Sequence, residues 1–397
     1  MFVAAMSLFS AGTLLAALAP GFGLLLTGRI IQASGTAIVL PLLMTTALGF
    51  VAPHRRGAMM GLISIVISVA PAIGPTASGL VLSVLDWRWL FWLVLPIALI
   101  ALTVGALTIK SVSETSRVRF DVLSIVLSAV AFGGIIYGLG SFGEGGGSHS
   151  AVGPVVALVV GAITLVAFVL RQRSLQRRDA ALLDLRPFGT PLFSLSTILV
   201  FVSMIAMFGT LILLPLYLQN VVGLDTLASG LVLLPGGVLM GLAAPLVGRW
   251  YDAVGPRPLL IPGAIMISAA LWMFATLGPD SAVALIVAMH VLFSIGLALT
   301  LTPLLTTALG VLPNELYSHG SAIVNTVQQL AGAAGTAVFI TVMSTVAAGA
   351  TGVDAVAAES AGMQAAFMVG GVVSLIAVVL TLFIKPTKVA RAEVPLH

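Results

Sequence analysis

The chain has 397 residues, of which 59% are hydrophobic and only 8% charged, and its mean hydropathy is +1.19. A water-soluble domain is typically about 25% charged, so a soluble globule of this composition would lack the polar residues to cover its surface, and soluble and disordered classes are excluded. The net charge of +4 and pI of about 9.9 would suit nucleic acid, but the placement of the charges points to a bilayer instead, and without cysteine no disulfide, thiolate metal site or cysteine nucleophile can form.

A helix needs roughly 20 apolar residues to cross a bilayer core of about 30 Å. Apolar runs of that kind lie near 1–19, 23–50, 58–84, 88–109, 121–142, 152–170, 191–218, 226–249, 258–277, 282–311, 320–348 and 362–384. They predict an all-α membrane protein with about twelve transmembrane helices. Residues 1 to 28 carry no charge, so the basic flank of a cleavable signal peptide is missing.

The second run contains Leu26-Thr-Gly28-Arg29-Ile-Ile-Gln32-Ala-Ser-Gly35. Arg29 lies roughly 9 Å inside the span. An arginine at mid-helix costs about 2.5–3.5 kcal/mol, which implies an inward-facing role unless the side chain snorkels to the surface. The third run contains Pro71-Ala-Ile-Gly74-Pro75-Thr-Ala-Ser-Gly79. Proline removes a backbone hydrogen bond and kinks a helix, while Gly and Ser let helices approach closely. The outer segment Gly143–Gly153 reads as a flexible loop. Arg171–Arg186 is expected to be a helical cytoplasmic connector whose basic face meets anionic headgroups.

In the seventh run Met204, Met207 and Phe208 offer a polarisable wall for varied ligands, followed by Pro215-Leu-Tyr217-Leu-Gln219. The eighth contains Leu234-Pro235-Gly236-Gly237 and ends in Gly248-Arg249-Trp-Tyr-Asp252-Ala-Val-Gly255-Pro-Arg257. Gly248 permits close helix approach and Gly255 a tight turn. Asp252 and Arg257 are suited to charge-assisted hydrogen bonds at helix ends. Together they read as a cytoplasmic latch, the plainer alternative being a turn with topogenic charge. His290, near the middle of the tenth run, either relays protons or hydrogen-bonds a neighbour. In the eleventh run Asn325 shares a helix face with Gln328 and Gln329. These amides either meet a ligand or hold helices together.

Of the 17 basic residues, all but Arg29 and Arg88 fall on alternate loops and the tail: Arg55 and Arg56, then Lys110, Arg117 and Arg119, then the 171–186 connector, then Arg249 and Arg257, then Lys385, Lys388 and Arg391. Positive loops stay in the cytoplasm, so both termini are expected there. None of the 13 acidic residues lies deep in a span. No lysine follows a glycine, so there is no Walker A loop, and the residues suggest neither an enzyme nor a cofactor nor a metal site.

The Gly248–Arg257 loop resembles the loop signature of the major facilitator superfamily. Pro71–Gly79 resembles the antiporter motif of exporters in that superfamily, with Ser78 where the pattern usually has a glycine. Leu26–Gly35 resembles its arginine-centred motif, whose arginine is tied to proton transfer. The runs at 215–219, 234–237 and 321–329 resemble the fourteen-helix drug:proton antiporters, the EmrB/QacA-like group.

The resemblance implies two helical bundles around a cavity that opens alternately to each side. Residues 1–110 would form an incomplete first bundle, 111–186 an extra transmembrane pair with a cytoplasmic linker, 187–384 a second bundle of six, and 385–397 a cytoplasmic tail. The implied function is proton-coupled efflux of amphipathic, often cationic compounds from the cell, through the plasma membrane. The alternatives are export of an endogenous metabolite or a non-transporting scaffold. Gating would fall to Gly248, Arg249, Asp252, Gly255, Arg257, Pro71, Gly74, Pro75 and Gly79, and proton coupling to Arg29 or His290. The cavity would draw on Gln32, Met204, Met207, Tyr217, Gln219, Asn325, Gln328 and Gln329. Expected partners are a small-molecule substrate, protons and lipid, with a periplasmic adaptor as a candidate, no nucleic acid, and a monomeric carrier. The latch has no copy in the first half, which shows four spans before the extra pair against six in the second. The expectation is a chain lacking the first two helices of its family.

Overall fold

The computed structural model describes residues 1–52, 55–109, 121–143, 152–178, 180–350 and 352–384, except the side chains of 45, 47–50, 64–73, 75–76 and 142–143. Lys110, Glu114, Arg117, Arg119, the glycine-rich 144–151 segment and the 385–397 tail lie outside the described residues. Among those described there are twelve α-helices and no strand. They are α1 Phe2–Ala17, α2 Phe22–Phe50, α3 Arg56–Leu82, α4 Trp89–Thr108, α5 Val122–Gly143, α6 Val152–Gln176, α7 Pro191–Asn220, α8 Thr226–Val254, α9 Arg257–Phe274, α10 Val283–Gly310, α11 Tyr317–Gly349 and α12 Ala355–Thr381. Each apolar run is one helix, because in hydrocarbon every backbone amide must be satisfied within its own segment. Among the described residues, ten helices are long and apolar enough to cross a membrane.

Large apolar side chains cover the outside. On α4, Leu95, Ala98 and Gly105 are buried while Leu107 is 82% and Ile97 67% exposed. Soluble proteins rarely leave such a surface open; a lipid-facing helix does so without penalty.

The helices group into two compact units, with α3 contributing to both. The smaller contains Met1–Phe50 and Gly74–Arg119. Here α1 packs against α2 and α4. The α1–α2 seam is glycine-lined: a Cβ on Gly28 would come 2.8 Å from the Ala16 nitrogen, and one on Gly35 2.5 Å from the Ala5 oxygen. Such small residues let two helix backbones touch where no hydrophobic force holds them together. Arg88 closes the end of α1, donating through Nε and Nη2 to the Ala19 carbonyl at 3.1 and 2.8 Å.

The larger unit contains Val51–Ile73 and Phe120 onward. In it α10 packs against α7, α8 and α9, and α7 against α11 and α12. Phe274 stacks with Phe293 and Phe367, and Phe367 with Phe339, whose ring lies over Gly209 and Gly370. The α5–α6 hairpin joins this unit through α5 against α11.

The connector after α6 departs from expectation. Arg171–Gln176 continue α6, but the helix stops there. The Leu183 amide then donates to the Gln172 side chain at 3.0 Å and the Asp184 amide to His319 Nδ1 at 3.2 Å. Backbone groups bonded to distant side chains cannot also propagate a helix. Arg186 begins a short 3₁₀ turn with Pro187 inside it, and Asp184 accepts its amide at 2.8 Å and its Nε at 2.6 Å.

Candidate functional site

The loop motif expected to act as a latch lies at the C-terminal end of α8. The segment before α3 offers no Ser, Thr, Asp or Asn to cap the helix, since the residues are Val51-Ala-Pro-His-Arg-Arg. Asp252 supplies the cap from α8. Its two carboxylate oxygens accept the Gly57 and Ala58 amides, each at 2.8 Å. These are donors of the first turn of α3, which have no partner within their own helix, and a carboxylate there also meets the positive end of the helix dipole.

Glycine makes the approach possible. A Cβ on Gly57 would lie 2.5 Å from Asp252 Oδ1 and 2.5 Å from the Gly248 oxygen, and one on Gly61 would lie 2.6 Å from the Ala244 oxygen. A Cβ on Gly248 would fall onto the Gly57 carbonyl. Gly255 ends α8 at φ 79°, ψ −175°, a region essentially open to glycine alone. Around this seam the Arg56 guanidinium lies over the Tyr317 ring at 5.2 Å, and Thr307 donates to the Tyr251 hydroxyl at 3.2 Å. The capped end of α3 is thus tied to α8, beside α10 and α11. Arg249 is exposed and Arg257 half-buried at the start of α9.

A cavity lies between α7, α8, α10 and α11, where about 890 Å³, open solvent at its mouth included, is not filled by protein. Met204, Met207, Thr210 and Leu211 come from α7, Leu233, Gly237 and Met240 from α8, and Gln328 from α11. One stripe of α10 supplies the rest, running from His290 through Ser294 and Leu301 to Leu305. Of the expected residues, the fold brings Met204, Met207, His290 and Gln328 together here.

Others lie elsewhere. Phe208 packs on Gly332 of α11. Tyr217 is buried and donates to the Gly278 carbonyl at 2.7 Å. Gln219 is half-buried near the end of α7, Asn325 is half-buried and Gln329 exposed. Gln32 belongs to the smaller unit with both ends of its amide engaged: Arg29 Nη1 donates to its Oε1 at 2.8 Å, and its Nε2 donates to Thr13 at 2.8 Å. Pro71, Gly74, Pro75 and Gly79 lie within α3; the side chains of the two prolines are outside the described residues, Gly79 is buried, and Gly74 has open space around it.

Thr210, Met240 and Ser294 were not singled out in the sequence. Ser294 and Leu301 follow from His290 by helical period. Nothing local marks Thr210 or Met240.

Asp121, just before α5, accepts Nε and Nη2 of Arg171, both at 2.8 Å, and the Ser124 hydroxyl at 2.5 Å. The bonds from Arg171, then from Ser124, hold its carboxyl well below the usual carboxylate range. A carboxyl lowered in this way contributes its stabilisation above about pH 4 and loses it only as pH falls toward the lowered pKa. Asp121 therefore stays ionised at neutral pH, as a brace between α5 and α6.

Long apolar helices, a cavity walled by four of them and a carboxylate-capped seam at their ends are the equipment of a membrane transporter that alternates between states. The chain belongs to the Major Facilitator Superfamily, whose family model matches residues 1–336. It is 44% identical over 391 residues to the lincomycin resistance protein LmrB of Listeria monocytogenes, covering 97% of this chain and 82% of that one. It is 43% identical over 386 residues to the LmrB of Bacillus subtilis, covering 95% and 80%. Among solved structures it matches the proton:xylose symporter XylE of E. coli with a TM-score of 0.59 at 17% identity, over 98% of this chain and 80% of that one, a likeness of fold alone.

Proposed function

We propose that this transporter exports amphipathic, drug-like molecules by alternating access, in exchange for protons. The observation that carries this is the cavity: methionine, leucine and phenylalanine walls with a few polar groups, a surface able to repack around varied ligands. The relatives named for lincomycin resistance make lincomycin the first substrate to test. The seam at Asp252 is read as the cytoplasmic latch, engaged when that side is closed and released when it opens. Arg29, held by Gln32, and His290 in the cavity wall are the candidates for coupling to the proton gradient. Residues 1–110 are read as first-bundle helices, 111–186 as an added pair with its linker, and 187–384 as the second bundle.

The test is lincomycin efflux from a susceptible bacterial host expressing the chain. Expected is lower accumulation than in the empty host, abolished by a protonophore. Equal accumulation with the protein verified in the membrane would overturn the reading. The charge pattern supports a reading with both termini in the cytoplasm. With no native cysteine, a cysteine at Ser174 should label only after permeabilisation and one at Ser148 from outside. The reverse pattern would overturn the orientation.

A further inference from the structure

We propose that the α7–α8–α10–α11 cavity selects uncharged, hydrogen-bonding amphipaths over permanent cations, with His290 as the residue that selects. This rests on the reading of that cavity as the substrate site. Among the described residues that line it there is no acidic side chain, and His290 is the only ionisable one. A permanent cation entering it would lose its hydration without meeting a counter-charge, at a penalty of several kcal/mol. The one aromatic ring in the wall, Phe293, returns about 0.5–2 kcal/mol by cation–π attraction. The penalty is larger, so cations are disfavoured.

Uncharged polar groups find the opposite situation. His290 Nδ1 and Thr210 Oγ1, in two different walls, are both buried without a hydrogen-bond partner. A buried polar atom left unpaired costs about 1–3 kcal/mol. A hydroxyl or amide of a bound solute that pairs with either group recovers that free energy, and a neutral imidazole carries one donor and one acceptor for the purpose. The ring has its place because position 236 is glycine. A Cβ there would lie 2.7 Å from both His290 Cε1 and Ser294 Oγ, and closer still to Nδ1. Gly236 is thus a positioning residue for His290.

The experiment measures binding to the purified full chain in nanodiscs. The probes are chloramphenicol, uncharged with hydroxyl and amide groups, and benzyltrimethylammonium, an amphipathic permanent cation whose charge is compact. Expected is at least tenfold tighter binding of chloramphenicol. His290→Leu should weaken it roughly tenfold, the loss expected for a hydrogen bond in a buried site, and His290→Gln should recover most of it. Gly236→Ala should weaken it while retaining the histidine. Should His290→Leu fail to fold, the glutamine and alanine variants carry the test. Equal or tighter binding of the cation, binding of neither probe, or unchanged chloramphenicol affinity in folded variants would each overturn the proposal. The lincomycin efflux assay decides the export reading separately.

Discussion

Gly248→Val is expected to abolish export while the protein still reaches the membrane. The first atom of any side chain at 248 falls onto the Gly57 carbonyl oxygen and within 3.2 Å of the Gly61 Cα. Both are backbone, so no rotamer change relieves the clash and α3 must move away from α8. Overpacking of this kind typically costs about 1–3 kcal/mol. The displacement also pulls the Gly57 and Ala58 amides from Asp252, and hydrogen bonds to a charged group contribute about 1.5–3 kcal/mol each. Gly57→Ala should fail in the same way, since its Cβ meets Asp252 Oδ1. Gly140→Ala on α5, with nothing within 4 Å of the new atom, is the control and should export normally. Efflux rate and thermal stability of the purified variants check this together. Wild-type export by Gly248→Val would mean that the seam opens without consequence.

Asp252→Asn is expected to cut export at least tenfold at unchanged membrane level. Asparagine keeps one acceptor oxygen but loses the second and the charge. Hydrogen bonds to charged groups contribute about 1.5–3 kcal/mol each, and a carboxylate at a helix N-terminus gains up to about 2 kcal/mol from the dipole. Losing even about 2 kcal/mol from one of two interconverting states shifts their ratio by roughly thirtyfold. A carrier needs both states in each cycle, so a shift of this size slows turnover. Folding suffers less, because the α3 amides sit at a helix end where water can replace the carboxylate once the seam parts. Asp252→Ala should be worse than Asp252→Asn, and Asp252→Glu intermediate. An Asp252→Asn variant that exports at the wild-type rate would reduce the motif to a turn.

The twelve helices were legible from the residues because membrane spanning is a local property, but not all of their ends were: α12 begins at Ala355 rather than near 362, and α6 runs on to Gln176 rather than stopping near 170. Run length is set by bilayer thickness, and helix formation by the need to satisfy each amide within its segment. Gly255 was likewise legible as a turn, since the Asp-Ala-Val-Gly-Pro order after a long apolar run announces a helix end. The expected helical connector Arg171–Arg186 stops at Gln176 because the Leu183 and Asp184 amides are satisfied by Gln172 and His319, the latter 135 residues away in sequence.

What the sequence by itself determined is the all-helical membrane class, the positions of the spans, the alternation of charge and the loop motif at 248–257. Which face of each helix looks inward was decided only by tertiary structure. In water an apolar stripe would betray the buried side, but here lipid is as apolar as the protein interior, and helices such as α7 and α10 are apolar all round. Met204 and Phe208, four residues apart on α7, looked equivalent; packing sends one to the cavity and the other against Gly332. The partner of Asp252 was hidden for a different reason. The carboxylate bonds to main-chain amides 195 and 194 residues away, and every residue but proline presents an amide, so no side-chain pattern marks which helix end it caps.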